Sequence, residues 1–317
     1  MVLYPDMVRI TLVGSLTFDR IMACGGEFKD YFLPEKLSSL SVSFLIDSVT
    51  QHFGGTAGNI AYNLSLLSLP SEIIATAGHD ADHYIERLKE RGIGTDTIII
   101  AEGLPTATAY VITDAKDNQI SPFAPGAGAQ AYERAYPIAD AALVMVSPTS
   151  AADMERFPHD AKEAGVPCFF DPGQQTTALS AGALRSGIEG SRALFVNEYE
   201  RALVIEKTGW SEREILEHVG LLVVTQGDEG SRLCTKDNET HVRAVLAKAV
   251  DPTGAGDAYR AGFIAGHLKG LSHEASAQIG STLAAFAVER TGCQNHEPAI
   301  EALKERYEAS YSEPWPL

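Results

Sequence analysis

The segment Asp251-Pro252-Thr253-Gly254-Ala255-Gly256-Asp257 couples a turn that can hold an anion to a carboxylate that can take a proton. Gly254 and Gly256 let the backbone turn tightly and approach a ligand without side-chain obstruction. The apolar, alanine-rich run from Ala258 to Leu268 reads as a buried helix. Its first free N–H groups and the positive end of its dipole then fall in the Gly-Ala-Gly turn, which suits a phosphate. Asp257 stands at that helix start, where it could accept a proton from a substrate hydroxyl. The dipole favours its ionised form, which makes it a weak base. An anion hole beside a carboxylate is the minimum arrangement for moving a phosphoryl group onto an alcohol. The plainer reading is a helix cap, with Asp257 satisfying backbone donors only. Two nucleotide motifs are excluded. Tyr259 stands where a dinucleotide fingerprint needs its third glycine, and the chain contains no Gly-x4-Gly-Lys-Ser/Thr loop.

A second glycine cluster, Phe53-Gly54-Gly55-Thr56-Ala57-Gly58-Asn59, leads from a β-like segment into a helix. Taken together, Gly-Gly-x3-Asn and Asp-x-x-Gly-Ala-Gly-Asp resemble the paired signatures of the ribokinase (PfkB) family of sugar and nucleoside kinases. The resemblance extends over nearly the whole chain. Within the family, residues 14–19, 40–45, 123–127 and 171–175 are most similar to the bacterial adenosine kinases.

That resemblance implies an ATP-dependent transfer to the 5′-hydroxyl of adenosine, giving AMP and ADP, with Mg2+ on the nucleotide phosphates. It implies Asp257 as the base and the amides of Gly254, Ala255 and Gly256 as the anion hole. It assigns Asp19, Gly55 and Asn59 to the acceptor's ribose, with Ser15 and Ser43 nearby. Asn197 and Glu200 would organise the Mg2+-phosphate water shell, and Thr225 and Gly227 would lie beneath the nucleotide. Asp251 falls where some members bind a monovalent cation such as K+. Phe123 aligns with an aromatic residue that stacks on adenine, whereas Ala109 stands where a second ring is expected. Tyr110 is adjacent, but neighbours on a strand face opposite ways. Another nucleoside, or a free sugar, therefore stays open as the acceptor, as does a sensor that has kept the fold without the catalysis.

Some of these roles also follow from residue chemistry. Asp19 lies just past the first expected strand, at the carboxyl edge where open α/β sheets bind ligands. A carboxylate there can accept hydrogen bonds from both hydroxyls of a diol. A turn aspartate and a helix-capping Asn59 are the structural alternatives.

Short β-branched runs alternating with helical segments predict an α/β fold: a doubly wound, mainly parallel sheet flanked by helices. Strands are expected at 8–13, 72–77, 142–147, 168–171, 193–196 and 221–225. Helices are expected at 59–67, 81–91, 151–164, 199–208, 255–268 and 274–290, the third broken at Pro158. Residues 20–53 and 106–122 show β-like alternation instead, with a hairpin turn at 114–118. They predict a small discontinuous β lid on a large domain made of 1–19, 54–105 and 123–317. Two long surface loops are the alternative. In the family such a lid covers the acceptor and often forms a homodimer contact.

The 317 residues suffice for one large domain with a small appendage. A formal charge of −17 argues against nucleic acid or an anionic membrane as partner. It also requires that a polyanionic nucleotide be admitted by local devices: backbone amides, a helix terminus and Mg2+. Cys24, Cys168, Cys234 and Cys293 are scattered and form no Cys-x-x-Cys pair, which fits a reduced cytoplasmic setting. No apolar run is long enough to span a membrane. His79 and His83 are spaced i,i+4, but they sit in a polar helix start with no third ligand near and are not read as a metal site.

Overall fold

The computed structural model describes residues 9–32, 39, 41–116 and 118–317. In the first half of the chain the elements are β1 (Ile10–Val13), β2 (Thr17–Ala23), α1 (Phe28–Tyr31), β3 (Ser48–Gly54), α2 (Thr56–Leu66), β4 (Ser71–Gly78), α3 (Asp82–Glu90), β5 (Ile98–Ala101), β6 (Ala107–Thr113), β7 (Gln119–Ile120), β8 (Phe123–Ala124), β9 (Leu143–Val146) and α4 (Ala151–Glu163). Then follow β10 (Cys168–Phe170), α5 (Ala181–Glu189), β11 (Ala193–Asn197), α6 (Glu198–Thr208), α7 (Glu212–His218), β12 (Leu221–Thr225), β13 (Ser231–Cys234), β14 (Glu239–Val242), α8 (Ala255–Leu268), α9 (His273–Val288) and α10 (Ile300–Tyr311).

Nine strands form the main sheet, in the order β14-β13-β12-β11-β10-β9-β1-β4-β5. All neighbours from β12 to β5 run parallel, and the β13–β14 edge is antiparallel. Alternation along each strand divides the core between the two faces. Leu12, Met145, Phe169, Phe195 and Val223 join one cluster with Ile60 of α2 and Phe263 of α8. Val13, Val146, Phe170, Val196 and Val224 join the other with Phe157 of α4 and Leu184 of α5. Burial on both faces explains why these strands read as continuous apolar runs. Helix α8, which carries the Gly-Ala-Gly turn, is fixed by close approach: a Cβ on Gly262 would stand 2.7 Å from Gly280 Cα of α9. Among the described residues no helix is long and apolar enough to cross a membrane.

A second sheet, β3-β2-β6-β7 with β8 on β6, is built from the two segments expected to form a lid. Its ladder starts at Thr17↔Gly54 and includes Ala109↔Phe123. It therefore takes in Thr17–Asp19 and Phe123–Ala124, beyond the bounds 20–53 and 106–122 read from sequence. Asp19 and Phe123 thus belong to the small sheet.

The expected break at Pro158 is absent: α4 runs through it to Glu163. Burial of Met154, Phe157, Pro158 and Ala161 on one side of the helix outweighs the roughly 3 kcal/mol that an interior proline disfavours.

Candidate active site

A cavity of about 950 Å3 lies between the carboxyl ends of the main sheet and the inner face of the second sheet. Alternation on β2 turns Thr17, Asp19 and Ile21 toward it, and β6 supplies Ala107, Ala109 and Val111 in register, Asp19 beside Ala109. His52 of β3 flanks Asp19 on the other side. Tyr110 faces away, its hydroxyl 3.5 Å from the Arg20 guanidinium, as strand alternation requires. Phe123 stands directly opposite Ala109 on β8 and is 57% exposed at the cavity wall.

The facing wall is the Gly254–Asp257 turn and the start of α8. Gly254 is the N-cap, at φ 81°, a left-handed conformation that glycine adopts without strain. Asp257 is in the first turn and 9% exposed. Its Oδ2 accepts a 2.8 Å hydrogen bond from Asn59 Nδ2, which physically joins the two glycine signatures across 198 residues. Asn59 Oδ1 accepts in turn from Gln294 Nε2 at 3.0 Å, and that amide also donates to the Tyr84 hydroxyl at 2.6 Å. Tyr84 donates to the Gly54 carbonyl at 2.7 Å. Asp257, the asparagine and the double glycine are thus held by one buried network, which fixes their relative positions.

The double glycine has a separate reason at each position. A Cβ on Gly54 would overlap the Asp19 carboxylate. At Gly55, φ is 88°, and a Cβ would stand 2.7 Å from the Thr17 amide nitrogen. Asp19 Oδ1 accepts from Thr17 Oγ1 at 3.2 Å, and the Cys293 thiol approaches Oδ2 at 4.0 Å. Burial raises the Asp19 pKa, opposed by Thr17 and by the charge of His52.

Burial also dominates at Asp257, pushing its pKa up to about 6 against the Arg260 charge and the Asn59 hydrogen bond. A pKa of about 6 leaves Asp257 mostly ionised at neutral pH, as expected from the sequence, but makes it a less weak base than expected. Desolvation exceeds the dipole, and the carboxylate is a stronger base than a surface aspartate. A base of this kind is lost when it is protonated. The kcat/KM for the acceptor should hold above neutrality and fall about tenfold per pH unit below the pKa of about 6. A pH–rate profile flat down to about pH 5 would remove Asp257 as the titrating base.

Asn197, Glu200, Thr225 and Gly227 line the cavity at the ends of β11 and β12. Asn197 and Glu200 form a capping box at the start of α6: Glu200 N donates to Asn197 Oδ1 and Asn197 N to Glu200 Oε2, both at 2.8 Å. That leaves Oε1 of Glu200 for a water-mediated Mg2+ contact. Among the described residues no group of three or more His, Cys, Asp or Glu could hold a metal ion. Ser15 lines the cavity and its Oγ accepts from Thr56 N at 3.3 Å. Asp251 Oδ1 and Oδ2 accept from the backbone N–H of Thr253 and Gly292, each at 2.9 Å. It clamps the turn to the 292 loop. Ser43 is not brought to the cavity: it is exposed in the irregular stretch before β3, with no strand to carry it inward. His79 Nδ1 lies 2.8 Å from the Leu104 carbonyl, and the His83 ring rests on Phe53.

Among the cavity residues given no role from sequence, three stand out. Asp171 and Arg260 form a buried ion pair, Nε to Oδ2 2.6 Å, and Cys293 packs against Gly254. An arginine inside the apolar run of α8 was the available signal for the pair. Cys293 offered none.

Residues 20–300 match the pfkB family carbohydrate kinase. The chain is 33% identical over 307 residues to the nucleoside kinase of Methanocaldococcus jannaschii, an alignment that covers 95% of this chain and 97% of that protein. It superimposes on the nucleoside kinase of Burkholderia thailandensis in complex with inosine with a TM-score of 0.85 at 32% identity, covering 96% of this chain and 99% of that one. The crystal structure of the Methanocaldococcus jannaschii enzyme gives a TM-score of 0.86 at 32% identity, covering 96% and 99%. The chain has the ribokinase fold, a main parallel sheet between helices with a second sheet over its carboxyl edge. It belongs to the pfkB family of carbohydrate kinases, and it is an ATP-dependent kinase that acts on an alcohol group.

Proposed function

We propose that the chain is a nucleoside kinase that phosphorylates the 5′-hydroxyl of adenosine, giving AMP and ADP, and that it tolerates other bases. The observation that carries this reading is the placement of Asp19, Asn59 and Asp257 around one cavity whose other wall is apolar. Asp19 offers two acceptors to a ribose diol, while Ile21, Ala109, Val111 and Phe123 give a flat base an apolar surface. A free sugar would leave that surface wet. The whole-length similarity to nucleoside kinases, one of them holding inosine, supports the same reading.

In this reading the acceptor hydroxyl lies between Asp257 and the terminal phosphate. Asp257 takes the proton late, because phosphoryl transfer is largely dissociative. The amides of Gly254 and Gly256 and the α8 dipole would face the charge on the transferring group, whereas the Ala255 amide expected to join them donates to the Pro252 carbonyl at 3.3 Å. Mg2+, held through water by Glu200, would neutralise charge on the nucleotide. The second sheet excludes water that would otherwise hydrolyse ATP.

Base tolerance follows from Ala109. With a methyl group beside Phe123, one aromatic ring contacts the base, so discrimination rests on stacking more than on shape. ADP release with ATP and Mg2+ is expected to be at least about tenfold faster, as kcat/KM, for adenosine than for ribose, with adenosine and inosine within about tenfold of each other. Ribose or fructose preferred over every nucleoside would overturn the reading.

A further inference from the structure

The cavity that must admit a polyphosphate is lined by five carboxylates, Asp19, Asp171, Glu200, Asp251 and Asp257, and among its lining residues Arg260 alone is a lysine or arginine. We propose that Arg260 binds the γ-phosphate of the donor from beneath the Gly254–Asp257 turn, and that Asp171 positions it there. This rests on the kinase reading above and adds to it a residue and a role.

Arg260 is on α8, one turn after Gly256, and is 7% exposed. Long side chains on a helix run back toward its N-terminus. This one does so, bringing Nη1 against Gly256, where a Cβ would collide with it. Gly256 therefore serves two ends: a free amide toward the cavity, and room for a guanidinium behind it. Nε is held by Asp171 Oδ2 at 2.6 Å, and that carboxylate side chain is itself 2% exposed. Among the described residues neither Nη group makes a protein hydrogen bond.

Two features separate this from a structural ion pair. A cation close to the positive end of a helix is unfavourable for the helix itself, so the placement makes sense where an anion is to be bound. A guanidinium also presents parallel N–H donors that match two phosphate oxygens, and Asp171 pairs with the charge from the Nε side of the group, leaving the Nη side to the ligand. The chain of −17 then meets its donor with one buried cation set under the helix amides.

The test is Arg260→Met, Arg260→Lys and Asp171→Asn in the full chain. ATP affinity is measured by equilibrium dialysis without acceptor, alongside steady-state kinetics and melting temperature. Arg260→Met is expected to weaken ATP at least about tenfold, to change ADP less than about threefold, and to lower kcat by roughly 10²-fold or more. Acceptor KM should stay within about twofold. Arg260→Lys should lose about tenfold in kcat, because an ammonium ion lacks the fork, and Asp171→Asn should move the same constants in the same direction by less. If Arg260→Met does not accumulate folded, the other two variants decide. Variants that melt lower but keep wild-type ATP affinity and kcat would show a structural pair and overturn the proposal. So would equal losses for ATP and ADP. ATP binding is read without turnover. A wild-type protein that binds ATP but phosphorylates no acceptor would sink the kinase reading without bearing on Arg260.

Discussion

Asp257→Asn is expected to lower turnover by roughly 10²–10⁴-fold or more while nucleoside affinity changes by less than about threefold. The substitution keeps the shape of the side chain and leaves an oxygen for the Asn59 amide, so the buried network from Asp257 through Gln294 to Gly54 persists. What disappears is the capacity to take a proton. A second readout accompanies the first. The Asp257 pKa of about 6 lies above the value of about 3.8 that the unfolded chain would show, so ionisation at neutral pH opposes folding. The sign follows: wild-type stability rises as pH falls from above 6 toward 4, and the asparagine variant lacks that contribution. Near pH 7 the variant should be more stable, by an amount on the order of 2 kcal/mol. Steady-state kinetics and thermal melts on both proteins check the two halves. Equal turnover would show that the base is misassigned. A slow variant of unchanged stability would show that Asp257 is less desolvated than its burial indicates.

The same residue shows where the sequence was informative and where it was not. The turn, the helix and the carboxylate at its start are local features, set by glycine freedom and an apolar run, and the structure contains all three. The sign of the pKa shift is not local. It depends on burial beneath a second sheet, which outweighs the opposing Arg260 charge from the same helix and the Asn59 hydrogen bond brought in by packing. The strands of the parallel core were legible because burial on both faces leaves an unbroken apolar run. Helices α1, α5, α7 and α10 and the strands β5, β13 and β14 at the two ends of the main sheet were missed. They are short or half polar, and their positions are set by the elements they pack against. Pro158 misled because a local rule met a well-buried helix face. The lid was recognisable as β-like segments, but its edges lay a few residues off, since the ladder continues through Asp19 and Phe123 without a change in pattern. Ser43 and Cys293 mark the limit. The first carried a similarity that its exposed position does not support. The second carried no signal at all, although it touches both the anion turn and Asp19.

Asp19→Ala should act on the acceptor and leave the donor alone. The carboxylate is placed to accept two hydroxyl hydrogen bonds, each charge-assisted, so removal should raise the acceptor KM by about 10²-fold or more. The kcat should fall less, by about tenfold, because Asp257, the turn amides and Arg260 are untouched. The KM for ATP should stay within about twofold. A gentler variant separates the carboxylate's position from its charge. In Gly54→Ala the added methyl group meets the Asp19 carboxylate, which must swing away. Acceptor KM should then rise by a smaller factor, and the double variant should be no worse than Asp19→Ala alone, since both act through one group. Full additivity would mean that Gly54 matters for another reason, such as the strand ladder it closes. Unchanged adenosine affinity in Asp19→Ala would take Asp19 out of the ribose site. The diol would then have to be held from the α2 side by Asn59, one of whose two amide N–H groups is already committed to Asp257 and whose Oδ1 accepts from Gln294.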